Sequence, residues 1–162
     1  MRRALLLLGA GALLVLGVAW LAFRGMKPAG LPQSSWPTRA RAVEVGALAA
    51  GWLPSFIPEG ASELRELHDP TTTRTWGRFS LRAPGWMPAP SPGFSGSVEL
   101  SLRGPPVAVR WWPREAEGKV SSLYLAQKGW RVTLVDEERG PVVVAVRASD
   151  VIFWRLARSP EP

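Results

Sequence analysis

The sequence predicts an α+β protein: one N-terminal transmembrane helix, then a small domain with one helix packed on a mostly antiparallel sheet. Three observations predict it. Residues 4–23, "ALLLLGAGALLVLGVAWLAF", form an uncharged run of the length a spanning helix needs, about 20 residues. The stretch "TRARAVEVGALAAGW" (38–52) places apolar residues at helical spacing. From residue 73 onward, short alternating or β-branched segments are separated by glycine, proline and aspartate, the pattern of strands joined by turns.

The first element is the anchor, residues 1–27. Arg2 and Arg3 precede the apolar run, Arg24 and Lys27 close it, and Trp20 and Phe23 lie near its far end, where aromatic side chains favour the water interface. A cleaved signal peptide has a shorter apolar region, about 7–15 residues, and small residues at its cleavage site. Trp20, Phe23 and Arg24 spoil that site, and the chain has no cysteine to carry a lipid. Arg2 and Arg3 favour an amino terminus inside the cell, which puts the domain outside the cytoplasm, in the periplasm or on the cell surface. The net charge of +7 is mostly a property of the anchor. Four of the 20 basic residues flank it and all 13 acids follow it, so 16 basic residues face 13 acids and the remainder carries +3. That balance gives no reason to expect a nucleic-acid partner.

Residues 28–37 read as a linker, 38–158 as the extracytoplasmic domain and 159–162 as a tail. Thr38 can cap a helix over 39–50. Val45, Leu48 and Ala49 share one face of it and Trp52 continues the stripe, while Gly51 stands at the position after the C-cap and Pro54 forbids continuation. Trp52 is therefore expected to plug the core, where truncation of a large aromatic costs about 3–5 kcal/mol. Residues 61–69 fit helix or strand, because Ala61, Leu64 and Leu67 recur every three residues between two prolines. A hairpin at "DPTTT" (69–73) would join them to a strand in "TRTWGRFSL" (73–81). Residues 83–97 are rich in proline and glycine and read as a long loop. "SVELSL" (97–102) and "PVAVRWW" (106–112) read as strands. "GWRVTLVD", "GPVVVAVR" and "SDVIFWRLA" follow at short intervals as an antiparallel meander, with "VVVAV" (142–146) apolar on both faces like a covered central strand.

One stretch has a more specific pattern. Gly51, Trp52, Pro54, Pro58, Ala61, Leu64, His68, Asp69, Trp76 and Phe79 stand in "GWLPSFIPEGASELRELHDPTTTRTWGRF" (51–79) in a spacing that resembles the YbbD head domain family of membrane-tethered bacterial proteins. "WWPRE" at 111 and "FWR" at 153 are similar to later segments of that family. The strong part covers under a fifth of the chain. Thr72, Thr73 and Arg74 stand where the family pattern has an Asp-Thr-Asn turn. The resemblance implies a single-anchor, envelope-facing protein and brings no catalytic residues.

The candidates for chemistry are few. His68 is the only histidine, and Asp69 follows it, but neighbours on a strand point to opposite faces. Asp69 cannot then orient the His68 imidazole, and an aspartate before Pro70 suits a turn that bonds local backbone amides. Glu63, Glu66 and the "DEE" of 136–138 read as solvated surface, so neither a metal nor another cofactor is expected. Trp111 and Trp112, read as strand residues, face opposite ways, so one can fill the core while the other meets solvent or an edge beside Arg110 and Arg114; core packing of both, under the large covering loops, is the expectation. No residue is assigned a catalytic, cofactor or metal role; His68, Asp69, Trp111 and Trp112 are the candidates for a partner surface. The reading that results is a non-catalytic, membrane-anchored extracytoplasmic domain, held by residues 4–23, that binds another cell-envelope component such as a protein. The alternatives are a hydrolase-like enzyme using His68 and Asp69, or a module for anionic surfaces.

Overall fold

The computed structural model describes residues 30–94 and 99–156. The expected anchor at 4–23 and the tail at 159–162 lie outside them. Among the described residues no helix is long and apolar enough to cross a membrane.

The described chain runs β1 (Gln33–Thr38), α1 (Arg39–Glu44), β2 (Ser62–His68), β3 (Thr75–Ser80), β4 (Ser101–Arg103), β5 (Lys119–Ser121), α2 (Ser122–Gln127), β6 (Arg131–Val135), β7 (Val142–Arg147) and β8 (Asp150–Arg155). Six strands form one antiparallel sheet in the order β1-β2-β3-β8-β7-β6, and β4 pairs with β5 in a small second sheet. The large sheet is two three-strand meanders whose last strands, β3 and β8, pair at its centre. The α+β class and the C-terminal meander are as the sequence predicts.

Period-two alternation assigns the side chains to two cores. On one face Leu64, Phe79, Val142, Val144, Val146, Val151 and Phe153 pack under Ala42, Ala47, Leu53 and Ile57. On the other, Leu67, Trp76, Val143, Ala145, Ile152 and Trp154 pack under Leu102, Trp112, Ala116, Leu125 and Trp130. Val142–Val146 are buried throughout, as expected for a strand covered on both faces. The loop after β3 contributes to the first cover: Trp86 packs edge-on against Phe79, and the Ser91 amide donates to Leu134 O at 2.7 Å along the free edge of β6.

Several expectations are corrected. The segment read as a linker, 28–37, contains all of β1 but Thr38; the strand pairs with β2 and buries Trp36. Its serines and Pro37 hide a strand whose other side chains are mostly exposed. Pro37 has no partner in the register, as suits an edge strand. The helix ends at Glu44 rather than at residue 50. Gly46 has φ 76°, its amide donates to Val43 O and that of Ala47 to Ala42 O, both at 2.9 Å, which is a Schellman closure. A second closure of the same kind follows at Gly51 (φ 69°), with Gly51 N–H on Leu48 O and Trp52 N–H on Ala47 O. The residues buried by these two turns are Ala42, Ala47 and Leu53, while Val45 is 46% exposed. "PVAVRWW" is not a strand. It bends, with Trp112 N–H on Val109 O, into a short 3₁₀ turn at Arg114–Ala116. Residues 97 and 98 of "SVELSL" lie outside the described residues; of its described part, 99–102, Ser101 and Leu102 enter a strand. The helix α2, capped by the Ser121 hydroxyl on the Tyr124 amide at 3.2 Å, is an addition that the sequence reading lacked.

Gly77 makes the central seam possible. It faces Phe153 across β3–β8, and the Phe153 ring occupies the space a Cβ there would need. Overpacking of this kind costs about 1–3 kcal/mol. Gly77→Ala is therefore expected to lower the unfolding free energy by that much, read from urea denaturation, with Gly60→Ala, which meets open space, as the control.

Candidate functional site

The end of the sheet where β2 turns into β3 carries a cleft of about 510 Å³ on the first face. Its floor follows from strand register. His68 faces Thr75 across β2–β3, Thr75 faces Arg155 across β3–β8, and Glu66 faces Gly77 one row deeper. A bulge between Ser62 and Arg65, with Glu63 at φ 53°, adds a residue to β2 upstream of these rows. Leu64, Glu66 and His68 then share the core face.

Glu66 is fully buried (0% exposed), contrary to its reading as a surface acid. Its Oε1 lies 2.9 Å from His68 Nδ1, and Oε2 has no hydrogen-bond partner. Burial pushes the Glu66 carboxyl up to about 8, and the positive charge of Arg155 offsets only part of this. Near neutral pH the acid is therefore largely protonated and can donate its O–H to His68 Nδ1. Arg155, 6% exposed, donates from Nη1 to Gly51 O at 2.6 Å. Burial lowers its pKa, and the charge of Glu137 opposes that.

The wall is Trp52. It is 40% exposed and lies parallel to the His68 ring, with centroids 5.9 Å apart and planes 13° from each other. The expectation that Trp52 plugs the core is thus wrong. The Gly51 closure turns the chain so that Leu53 goes in and Trp52 goes over His68. Gly51 serves the cleft a second time, because the Arg139 side chain lies where a Cβ would stand. Asp69, Pro70 and Thr73 form one lip, Glu138 and Arg139 the other.

The four residues singled out from the sequence have separate fates. His68 and Asp69 both line the cleft, but no bond joins them. Asp69 Oδ1 accepts from the Thr71 amide (2.9 Å) and hydroxyl (2.6 Å), and Oδ2 from the Thr72 hydroxyl (2.7 Å). These donors hold the Asp69 carboxyl down at about 2, the turn role its place before Pro70 suggests. Trp112 is buried, with Nε1 on Ala116 O at 2.8 Å and its ring edge-on to Trp154. Trp111 is partly exposed in a second hollow beside Arg65, Arg78 and Arg110. The expected core packing of both holds for Trp112, while Trp111 packs against that core with part of its surface exposed, and neither is on a strand. The residues that the sequence reading missed are Glu66, Arg155 and Arg139. The Glu66-x-His68 spacing was a usable signal, since residues two apart share a strand face. Among the described residues no cluster of three His, Cys, Asp or Glu could hold a metal ion.

With this geometry in place, the comparison with known families is direct. Residues 32–80 match the YbbD head domain family. The match spans β1 to β3, under a third of the chain, and extends the resemblance read from residues 51–79. Neither a curated protein nor a solved structure matches the chain. The YbbD head segment supplies Trp52, His68, Asp69 and Thr75 to the cleft, and Glu66 to His68. Glu138, Arg139 and Arg155 come from outside it.

Two outcomes follow. Trp52→Ala is expected to cost no more than about 1 kcal/mol in urea denaturation, closer to a surface substitution than to a core truncation. The second concerns pH. Glu66 has a folded pKa raised from 4.5 to about 8, so its contribution to stability is fully present below the unfolded value and is lost as pH rises through the folded one. Stability should fall between pH 5 and 8, by at most about 1.4 kcal/mol per pH unit. Glu66→Gln should flatten that slope; urea midpoints measured across the range check both statements.

Proposed function

We propose that this chain is a membrane-anchored, extracytoplasmic, non-catalytic domain that binds another component of the cell envelope through the Trp52–His68 cleft. The observation that carries the binding reading is Trp52 itself. A large aromatic, 40% exposed, is held in one orientation by His68 at the mouth of a concave, partly charged cleft, the usual composition of a ligand site. The anchor and topology rest on the apolar run at 4–23 and its flanking charges. Asp69 is engaged by Thr71 and Thr72, which argues against the hydrolase built on His68 and Asp69.

A photo-crosslinking residue at Thr73, on the lip of the cleft, is expected to capture an envelope component in intact cells, and Trp52→Ala should abolish the product. A reporter active only outside the cytoplasm, fused after Pro162, should be active, and alkaline extraction should leave the chain in the membrane pellet. A folded but silent fusion would overturn the topology.

The contact between Glu66 and His68 favours one second reading. Once Glu66 ionises, above about 8, its carboxylate accepts the Nδ1 proton of His68, which fixes that tautomer of the imidazole and leaves Nε2 to act as a base. On that reading Glu66→Gln and His68→Ala would abolish a hydrolytic activity with the fold retained. Turnover unaffected by His68→Ala would end it.

A further inference from the structure

The cleft holds a cation that the rest of the domain leaves unused. Arg139 lies across Gly51 and lines the cleft, and it has no hydrogen bond or ion pair among the described residues. Arg155 stands behind it, with Nη1 on the Gly51 carbonyl and a buried Nε that has no partner. Two guanidinium groups thus converge on one glycine beside an aromatic ring. The opposite lip carries Asp69 and Thr73, oxygen-bearing side chains suited to hydroxyl groups. Thr73 is fixed there by a left-handed backbone, φ 57°.

Three properties of a ligand follow. Its face must be flat and apolar to lie on Trp52, as the C–H face of a pyranose ring is. It must present hydroxyls to Asp69 and Thr73. It must also carry a single planar negative charge for Arg139, whose fork matches a carboxylate in two parallel hydrogen bonds. A phosphate dianion or a polyanion fits less well, because Asp69 and Glu138 stand on the rim and repel a higher charge. Resting on the binding reading above, we propose that the cleft takes a sugar acid, a pyranose ring on Trp52 with its carboxylate on Arg139. The ligand is then an acidic sugar of the envelope, free or as a unit of a polymer.

The probes are N-acetylmuramic acid and N-acetylglucosamine, which share a ring and differ in the acid-bearing arm. Calorimetric titration of the full chain in detergent micelles should show the acid binding at least tenfold more tightly than the neutral sugar. Arg139→Gln should remove that difference, Arg139→Lys should restore part of it, and Trp52→Ala should weaken both sugars. Arg110→Gln, in the second hollow, should change nothing. Trp52 and Arg139 are both exposed, so their variants should stay folded and unfold cooperatively. Equal affinity for the two sugars, a difference that survives Arg139→Gln, or no binding of either overturns the proposal. So does D-lactate binding as tightly as the sugar acid, since the ring would then contribute nothing. Oligomeric glycan strands titrated in parallel distinguish a polymer unit from the free acid. Crosslinking at Thr73 reads the wider binding proposal separately: a protein captured there without any sugar-acid affinity ends the sugar acid alone.

Discussion

The seam between β3 and β8 brings together residues about 75 positions apart, and every other feature of the domain is arranged around it. Its six pairs, Thr75↔Arg155 to Ser80↔Asp150, join two meanders that would each otherwise expose an edge strand with a row of unsatisfied amides. Gly77 opposite Phe153 lets the two strands meet with the far end of the Phe153 ring in the space a Cβ would take. Both covers depend on this sheet: the double-glycine turns and the loop around Trp86 on one side, β4, β5, α2 and the bend at Trp112 on the other. Trp76 ties the second cover down, its Nε1 donating to Arg103 O at 2.8 Å. The segment that matches the YbbD head family ends on β3, so its last strand is completed by a partner outside the match.

The same seam explains why ionisable groups are buried at one end of the sheet. Register places Glu66, His68, Thr75 and Arg155 in adjoining positions on the core face. Removing a carboxylate from water is costly, and Glu66 meets that cost by holding its proton. Asp69, one residue beyond His68, has the opposite surroundings: three donors, from Thr71 and Thr72, keep it ionised. Two acids three positions apart thus carry different charges at neutral pH, because one lies inside the sheet and the other beyond its end. The cleft lies between them.

The strands that bury both faces were the most legible part of the sequence, since "VVVAV" and "VIFW" leave little choice of environment. The 69–73 hairpin was legible too, because Asp69-Pro70 and the threonines have turn chemistry of their own. What failed were elements defined by their neighbours. β1 has one buried side chain, Trp36, so no period marks it. Gly46 reads as a tolerable helix interior until the closure at Ala47 is seen. Trp52 misled for a related reason: apolar character predicts burial on average, but the turn at Gly51 decides which of Trp52 and Leu53 points inward. At the site His68 and Asp69 were visible as residues and their separation was predictable. The roles of Glu66 and Arg155 depend on the bulge at Glu63 and on the β3–β8 register, which a linear reading of the residues does not contain.

Pro37 and Ser91 stand at opposite margins of the large sheet. Pro37 takes one amide out of the β1 edge, and the Ser91 amide already occupies Leu134 O on the β6 edge. An incoming strand therefore meets an interrupted ladder on either side. Where many copies of a β-rich domain share a confined space, growth by edge-to-edge pairing is the ordinary route to insoluble polymer. Neither margin of this sheet offers an uninterrupted ladder on which such growth could template.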